Sequence, residues 1–403
     1  MTGPKALPIA ARAAGQPYAP AAELYELQAD DRLHRVKVPS PLLGEFDAVA
    51  VTRYEDAKSV LNDERLRMGF SLDPDAPRTM LNQPGNLLNY NGIEHSRLRR
   101  MLSGGFTVKR VRGLRPMIEE VVASRLAALE EAGPGADLVQ VFSTPIPTMV
   151  ICELLGVPYA DRAGFQRRAQ VGLDVNTTRE EQIRNLAEMD AYMATLIASH
   201  RESPGDNLLG GVVRDFGHEL TDDELIGIGN MLLIAGHETT ASMLSAGAAL
   251  LLQNPEQLAV VRDEPDAAAG AIEELLRYCA PATTMPRQAA ETFHVRGQEI
   301  REGEKVVVSV LVANRDHALS DGDLDTLNVR REPVSHVTFG YGAHQCLGQQ
   351  LARMELRVAL PALFNRFPTL ALAVPPEEVD YRTTALVFGV RRLPVTWTRE
   401  EAS

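Results

Sequence analysis

A proline-free segment in the middle of the chain, residues 221–254, constrains the fold more than any other feature. It opens with TDDE, a capping box in which Thr221 caps the helix and Glu224 reaches back to the cap amide. At 1.5 Å per residue, the segment would form a helix roughly 50 Å long. Such a helix must cross the whole molecule, so the other elements have to pack around it.

The remaining pattern predicts a mainly α protein with small β-sheets, the α+β class. Apolar residues recur with helical spacing in VRGLRPMIEEVVASRLAALEEA, REEQIRNLAEMDAYMATLIASHRE, AAAGAIEELLRYCA and CLGQQLARMELRVALPALFNRF. β-Branched residues cluster in FDAVAVTRY, KVVVSVLVAN and LPVTWT, which predicts strands there. No long linker or repeat divides the chain, so we expect residues 1–403 to form one domain, with residues 1–20 as a flexible N-terminal segment.

Composition narrows the class of protein. The formal net charge of −13 argues against general nucleic-acid binding, because phosphate binding needs a clustered basic excess. The cysteines, Cys152, Cys279 and Cys346, are odd in number and lack CxxC spacing, which favours neither a disulfide framework nor a zinc site. The N-terminus has no continuous apolar signal segment, and no apolar run is long enough to span a membrane. We therefore expect a cytoplasmic monomer with no nucleic-acid or membrane partner.

The middle of the central segment, LLIAGHETTAS, breaks the rule that a buried helix is apolar throughout. Glu238 and Thr239 are polar, and Gly236 costs about 1 kcal/mol relative to alanine in a helix interior. One explanation is contact with solvent, or close helix packing at Gly236. The other is that the missing side chain makes room for a ligand, to which the acid and the hydroxyl bond or deliver protons. These residue types alone leave both explanations open.

The segment FGYGAHQCLG places Cys346 in a glycine-rich loop before a helix. Gly340 and Gly342 permit backbone conformations that a β-carbon would forbid, and the first amides of the helix point back towards the sulfur. We expect these amides to lower the thiol pKa. A thiolate is the form that binds a metal, and a single thiolate in such a loop suits an axial bond to haem iron. A single cysteine is otherwise a small buried apolar residue, the interpretation we give to Cys152 and Cys279.

Three motifs, in this order and spacing, resemble those of the cytochrome P-450 family of haem-thiolate monooxygenases. AGHET at residues 235–239 resembles the oxygen-activation motif, Glu274 with Arg277 matches the ExxR pair, and the cysteine loop resembles the haem-binding signature. The resemblance extends to GIEHSRLRRML and MPRQAAE, and so from about residue 20 to the end of the chain. It implies the cytochrome P-450 fold, with haem b (iron protoporphyrin IX) buried between the central helix and the cysteine-loop helix.

The resemblance also implies roles for individual residues. Cys346 is the axial ligand of the haem iron, and Arg99 and Arg287 hold the haem propionates, because guanidinium groups complement carboxylates. Glu238 and Thr239 match the catalytic acid–alcohol pair that relays protons to bound oxygen. The other implied cofactor-binding positions are His95, Ala235, Gly236, Phe339, His344 and Gly348.

Other motif residues are implied to be structural. Glu274 and Arg277 form an ion pair that Arg331 joins, and no chemical role attaches to His237 in the oxygen-activation motif. We interpret His237 as a surface or packing residue, as isolated histidines usually are.

The resemblance places a substrate pocket among mainly apolar segments. Such walls suit a bulky, largely apolar small molecule with few ionic contacts. A macrolide, polyketide, terpenoid or peptide intermediate of secondary metabolism would qualify. The implied substrate-binding positions are Leu87, Leu88, Met231, Leu232, Thr283, Thr284, Met285, Leu386 and Val387.

Three functions are compatible with the sequence. The first is a monooxygenase that hydroxylates a C–H bond or epoxidises an alkene with O2. The second uses the same haem centre for oxidative coupling or desaturation, without net oxygen insertion. The third is a haem protein that senses small ligands and catalyses nothing. Glu238 and Thr239 favour the first over the third, because a sensor needs no proton relay.

The layout is similar to that of actinobacterial members of the family, which implies electron supply from NAD(P)H through a ferredoxin reductase and a ferredoxin. A basic stretch, HSRLRRMLSGGFTVKRVRGLR, has no acid after Glu94 and lies, by resemblance, on the cysteine side of the haem, where an acidic ferredoxin would dock. The alternative is a solvated helix face without a partner. The cations are Arg97, Arg99, Arg100, Lys109, Arg110, Arg112 and Arg115, of which Arg99 is expected to point inward.

Overall fold

The computed structural model describes residues 10–40, 44–68, 82–162, 164, 167–168, 171, 178–383 and 387–398. In it the central helix runs over Asp222–Leu252, ending just before the predicted end. The Glu224 N–H donates to Thr221 Oγ1 at 3.1 Å, and the Thr221 N–H donates to the Glu224 carboxylate at 2.9 Å. The predicted capping box is therefore confirmed.

Helices dominate the described residues. The four helices predicted from periodicity are confirmed over Arg115–Ala132, Arg179–Glu202, Ala268–Cys279 and Gln349–Arg366. A π-helical segment, Val139–Ser143, leads into the helix Pro145–Leu155. The helices are α1 (Ala22–Ala29), α2 (Tyr54–Asn62), α3 (Gly92–Ser103), α4 (Val108–Gly113), α5 (Arg115–Ala132), α6 (Pro145–Leu155), α7 (Arg179–Glu202), α8 (Leu208–Phe216), α9 (Asp222–Leu252), α10 (Pro255–Asp263), α11 (Ala268–Cys279), α12 (Val310–Ala313) and α13 (Gln349–Arg366).

The strands form small sheets. The strands are β1 (Arg12–Ala13), β2 (Gln16–Pro20), β3 (His34–Ser40), β4 (Gly44–Val51), β5 (Leu66–Arg67), β6 (Thr284–Ala289), β7 (Phe293–Val295), β8 (Gln298–Ile300), β9 (Lys305–Ser309), β10 (Ala371–Leu372), β11 (Asp380–Tyr381), β12 (Val390–Arg392) and β13 (Val395–Thr396). The largest described sheet has the order β3-β4-β9-β6-β5, and within it only β4 and β9 pair in parallel. The other described sheets are the two-stranded β1-β2, β7-β8, β10-β13 and β11-β12.

Two predictions of local structure are wrong. The strand predicted over KVVVSVLVAN ends at Ser309, and Val310–Ala313 form the short helix α12. A fully apolar run has no period that separates strand from helix, which explains the error. The N-terminal segment is held in place from residue 10 onwards, because Tyr18 is buried and its hydroxyl donates to Ala246 O at 2.8 Å. Residues 1–9 lie outside the described residues.

The main apolar core surrounds α9 and takes side chains from α3, α5, α6, α7, α8, α11 and α13. From Thr240 to Leu251 the central helix is buried on every side. Before that point, one side of the helix remains accessible. Among the described helices, none combines the length and apolar character that a membrane crossing requires.

A buried ion pair on α11 fixes the segment that leads to the cysteine loop. Arg277, only 1% exposed, donates to Glu274 from Nε at 2.8 Å and from Nη2 at 2.9 Å, and Arg331 joins at 3.3 Å. Nη1 of Arg277 donates to Asn314 O at 3.0 Å, and the side chain of Asn314 donates to Thr338 Oγ1 at 2.8 Å. The predicted structural role of Glu274, Arg277 and Arg331 is confirmed.

Glu274→Gln should lower the free energy of unfolding by about 3 kcal/mol, because it leaves the buried charge of Arg277 without its counter-charge. Urea denaturation measures this loss. The control is Glu264→Gln, which removes the same charge from an exposed ion pair with Arg330 and should cost less than about 1 kcal/mol. Equal losses in the two variants would contradict the assignment.

Candidate active site

The cysteine loop has the backbone that its glycines predict. Gly340 and Gly342 adopt φ of +71° and +73°, in the left-handed region. A β-carbon on Gly342 would lie 2.7 Å from Asn62 Oδ1 and 2.9 Å from Leu61 O. The glycine therefore permits both the turn and the close approach of α2.

Cys346 lies where the loop meets α13. Its N–H donates to Phe339 O at 2.8 Å, which closes the loop, and its side chain is accessible. Burial within the protein nevertheless raises the pKa of the thiol, while the Gly348 amide and the charges of Arg99 and Arg353 act in the opposite direction. The amide at the helix start therefore lowers the pKa as predicted, but the net shift is upward because desolvation outweighs it.

The other two cysteines behave as predicted. Cys152 and Cys279 are fully buried, and burial raises the pKa of each thiol to about 12. They are small apolar core residues, and neither is a candidate metal ligand.

Four nitrogen-bearing side chains converge beside the cysteine loop. The imidazole rings of His95 and His344 lie with centroids 4.0 Å apart. Burial, together with the charges of His95, Arg287 and Arg99, lowers the pKa of His344 to about 3. Arg99 and Cys346 also influence each other electrostatically. The structure therefore brings together the four residues predicted to hold the propionates.

This cluster has no acidic partner within the described residues. Arg287 is 3% exposed and donates only to Met68 Sδ at 2.9 Å and Pro286 O at 2.8 Å, and burial lowers its pKa to about 10. His95 Nε2 and His344 Nδ1 are buried without hydrogen-bond partners. Buried cations require an anion. Two carboxylates, such as the propionates of haem, fit this set.

The accessible side of the central helix forms a single stripe. Its members are spaced three and four residues apart, as one face of a helix requires: Met231, Ile234, Ala235, Glu238 and Thr239. The Thr239 hydroxyl donates to Ala235 O at 2.9 Å. Sequence reasoning missed Ile234, although the i, i+3, i+4 spacing of this stripe could have identified it.

Arg382 is a second residue that sequence reasoning missed. Its Nη1 donates to Glu238 Oε1, and its Nη2 donates to Ser242 Oγ at 2.6 Å. No motif marks Arg382, and 144 positions separate it from Glu238. Only the folded chain reveals this contact.

Two neighbours of the acid–alcohol pair are packing residues. A β-carbon on Gly236 would lie 3.1 Å from Ile151 Cδ1, so the structure favours close helix packing over room for a ligand at this side chain. His237 is 1% exposed, and burial lowers its pKa. It is a packing residue and not a surface residue. Ala235 is the accessible member of this turn.

The described substrate positions that were predicted divide into a buried group and an accessible group. Leu87, Leu232 and Thr283 are buried, and both leucines belong to the main core, so they do not form an accessible wall. Leu386 lies outside the described residues. The Leu87 N–H lies 3.1 Å from Met231 Sδ, and this contact joins the segment that contains Leu87 to the central helix. The accessible or partly accessible positions are Leu88, Met231, Thr284, Met285 and Val387.

Comparison with known proteins decides the family. The cytochrome P-450 family model matches residues 165–394. A vitamin D3 dihydroxylase of Streptomyces griseolus is 43% identical over 91% of this chain and 90% of its own length. The chain belongs to the cytochrome P-450 family.

Further relatives agree with this P-450 assignment. Pentalenic acid synthase of Streptomyces avermitilis is 42% identical over 86% of this chain and 88% of its own length. The crystal structure of the LnmA cytochrome P-450 hydroxylase, from the leinamycin biosynthetic pathway of Streptomyces atroolivaceus, superposes with a TM-score of 0.84. It has 40% identity and covers 94% of this chain and 96% of that one. The fold predicted from the motifs is confirmed.

Members of this family use haem b, and the residues present fit it. Cys346 offers one accessible sulfur, while Arg99 and Arg287 offer unpaired guanidinium groups for two carboxylates. Among the described residues, no group of three His, Cys, Asp or Glu side chains could hold a metal ion in another way. The available side chains therefore suit a porphyrin whose iron takes one thiolate ligand.

Arg99→Met should speed the loss of haem roughly tenfold or more, because one charge-assisted hydrogen bond contributes about 1.5–3 kcal/mol. Haem transfer to apomyoglobin measures the rate. Arg100→Met is the matched control, since Arg100 is the exposed neighbour of Arg99 on α3. If both variants released haem at the wild-type rate, Arg99 would not contact a propionate.

Proposed function

We propose that this P-450 is a monooxygenase that hydroxylates or epoxidises a bulky, largely apolar small molecule of secondary metabolism. The accessible stripe of α9 is the observation that carries the proposal. On one face of the helix, apolar Ile234 lies one turn before Glu238, and apolar Met231 lies two turns before it. A substrate held against the apolar turn would be next to the acid and the hydroxyl.

The names of relatives support this class of reaction. The vitamin D3 dihydroxylase and the leinamycin-pathway hydroxylase are named for hydroxylation, and the latter belongs to an antibiotic pathway. The partly accessible positions Leu88, Met285 and Val387 are apolar, which suits a substrate with few charges.

When bound, haem b supplies the iron centre at which O2 is activated. Cys346 would provide the sulfur ligand of the iron, and Arg99 and Arg287 would hold the cofactor through its carboxylates. Phe339 packs against the guanidinium of Arg353, with 4.4 Å from Cζ to the ring centroid. This contact packs the cysteine loop against α13.

Glu238 and Thr239 move protons on the other side. The Thr239 hydroxyl hydrogen is engaged by Ala235 O, which leaves the Oγ1 lone pairs open to accept a proton donor. By rotating away from Ala235 O, the hydroxyl can pass its own hydrogen to an acceptor in the groove. The Glu238 carboxylate, one residue earlier, can receive protons from water and restore the hydroxyl.

A substrate screen by Soret shift, followed by product mass, tests the reaction class. Monooxygenation adds one oxygen atom to the substrate. Oxidative coupling or desaturation, the alternative use of the same centre, removes two hydrogens instead. A protein that binds ligands but consumes no NAD(P)H with any of them would be a sensor.

Thr239→Ala should cut the product formed per NAD(P)H about tenfold or more, since positioned proton transfer contributes at least that much. With ferredoxin and reductase supplied, NAD(P)H oxidation should continue, and its electrons should appear as hydrogen peroxide. Thr239→Ser keeps the hydroxyl and should restore coupling. A wild-type yield in the alanine variant would exclude the relay.

We further propose that an acidic ferredoxin delivers electrons at α3 and α4. This surface lies close to the cysteine loop, because a β-carbon on Gly348 would lie 3.9 Å from the ring of Phe106, just before α4. Val108, at the start of α4, is 51% exposed and offers an apolar contact amid the charges. A charged surface with an apolar centre is typical of a protein interface.

The basic surface is smaller than the sequence indicates. Arg97 pairs with Glu94 and Glu224, Arg110 lies 3.8 Å from Asp206, and Arg115 pairs with Glu119 at 2.7 Å. Of the cations in this stretch, Arg100, Lys109 and Arg112 are exposed and have no acidic partner within the described residues. These three define the proposed docking surface.

Arg100→Glu and Arg112→Glu should each slow reduction by ferredoxin several-fold at low salt and flatten its salt dependence, because exposed charges are screened beyond about 8 Å at physiological ionic strength. Stopped-flow reduction measures the rate. Arg32→Glu, the same change of charge outside this segment, is the control. If the rate of reduction changed neither with salt nor in these variants, the ferredoxin would dock at another surface.

A further inference from the structure

The carboxylate of Glu238 is held from a distant part of the chain. Arg382 follows β11 in the hairpin β11-β12, and its guanidinium reaches the central helix through two nitrogens. Nη1 donates to Glu238 Oε1, and Nη2 donates to Ser242 Oγ at 2.6 Å. Glu238 and Ser242 are four residues apart on the helix, so the fork spans one turn.

The hairpin provides the space for this fork. The Arg382 N–H donates to Gly389 O at 2.9 Å, which pairs the two residues across the hairpin. A β-carbon on Gly389 would lie 2.8 Å from Arg382 Nη2 and 2.8 Å from Ser242 Oγ. A side chain at position 389 would displace the guanidinium, so the contact depends on glycine there.

Thr239 does not hold the acid. Its hydroxyl donates to Ala235 O, and in the part of the chain that the structure describes, Arg382 is the hydrogen-bond partner recorded for the Glu238 carboxylate. Both side chains of the ion pair are mostly buried, at 15% and 22% exposure, so solvent screens the pair less than at the surface. The orientation of the carboxylate is set by Arg382.

We propose that Arg382 is the positioning residue of the acid–alcohol pair and holds the Glu238 carboxylate in one orientation beside Thr239. The inference rests on the proposed function, in which Glu238 relays protons. A glutamate side chain samples several rotamers when unrestrained, whereas proton transfer needs heavy atoms about 2.6–3.2 Å apart. The two-point contact with Glu238 and Ser242 removes that freedom.

The position of Arg382 gives the contact a second consequence. Val387, a predicted pocket wall, belongs to the same hairpin and pairs with Ala282 before β6. The hairpin predicted to contact substrate therefore also carries the residue that we propose orients the acid. A substrate that moves the hairpin would change the orientation of Glu238.

A double-mutant cycle tests the contact without any turnover. In the haem-loaded protein, Arg382→Met and Glu238→Gln should each lower the midpoint of urea unfolding. The midpoint of the double variant should be no lower than that of the less stable single variant, because both changes remove the same contact. Arg391→Met, at an exposed arginine of the same hairpin, is the matched control and should match wild type. Additive losses would overturn the proposal.

Infrared spectroscopy of the carbon monoxide complex tests the positioning. The C–O stretch responds to polar groups beside the ligand, so a fixed Glu238 should give one narrow band in the wild type. Arg382→Met should give more than one band, Arg382→Lys should restore most of the single band, and in the Glu238→Gln background Arg382→Met should change nothing. A wild-type band in Arg382→Met would overturn the proposal.

The two proposals fail separately. If Glu238→Gln gave the wild-type yield of product per NAD(P)H, the relay would be wrong, and with it the purpose assigned to Arg382. If Glu238→Gln lost coupling while Arg382→Met kept both coupling and a single C–O band, only the role of Arg382 would be overturned.

Discussion

The desolvated charge of Arg277 is the constraint on which the position of the cysteine loop depends. A buried guanidinium is costly unless its N–H groups find acceptors, and here Glu274 takes two nitrogens while Asn314 O and Leu324 O share the third. The side chain of Asn314 then bonds to Thr338, which directly precedes the loop. A single charge on α11 thus connects the chain after β9 with the segment that presents the cysteine.

The contrast between Arg277 and Arg287 separates a structural arginine from one that we propose to bind a ligand. Both are nearly inaccessible, but Arg277 has a carboxylate partner, whereas Arg287 has a thioether and a backbone carbonyl. The second arrangement leaves a desolvated charge uncompensated, which a folded protein tolerates only where a ligand restores the balance. Arg99, also depressed in pKa by burial, belongs to the same class.

Local patterns were sufficient to predict the capping box at Thr221, the helix Arg179–Glu202 and the left-handed glycines of the cysteine loop, because each depends on residues close in sequence. The motifs were sufficient to predict the family, and the four residues predicted to hold the propionates lie together in the structure. Three features of the site could not be predicted in this way. The pKa of Cys346, the side-chain space at Gly236 and the partner of Glu238 depend on what packs against them from elsewhere in the chain, and no local pattern contains that information.

Helix α3 shows how one short element serves both sides of the site. His95 and Arg99, four residues apart, belong to the cluster beside the cysteine loop, whereas Arg100 is exposed on the surface proposed for the ferredoxin. The helical period alone separates these neighbours, since adjacent residues diverge by about 100° around the axis. The formal charge of −13 therefore does not conflict with a basic docking surface, because the distribution of cations on this helix, and not the total, decides what approaches the cysteine side.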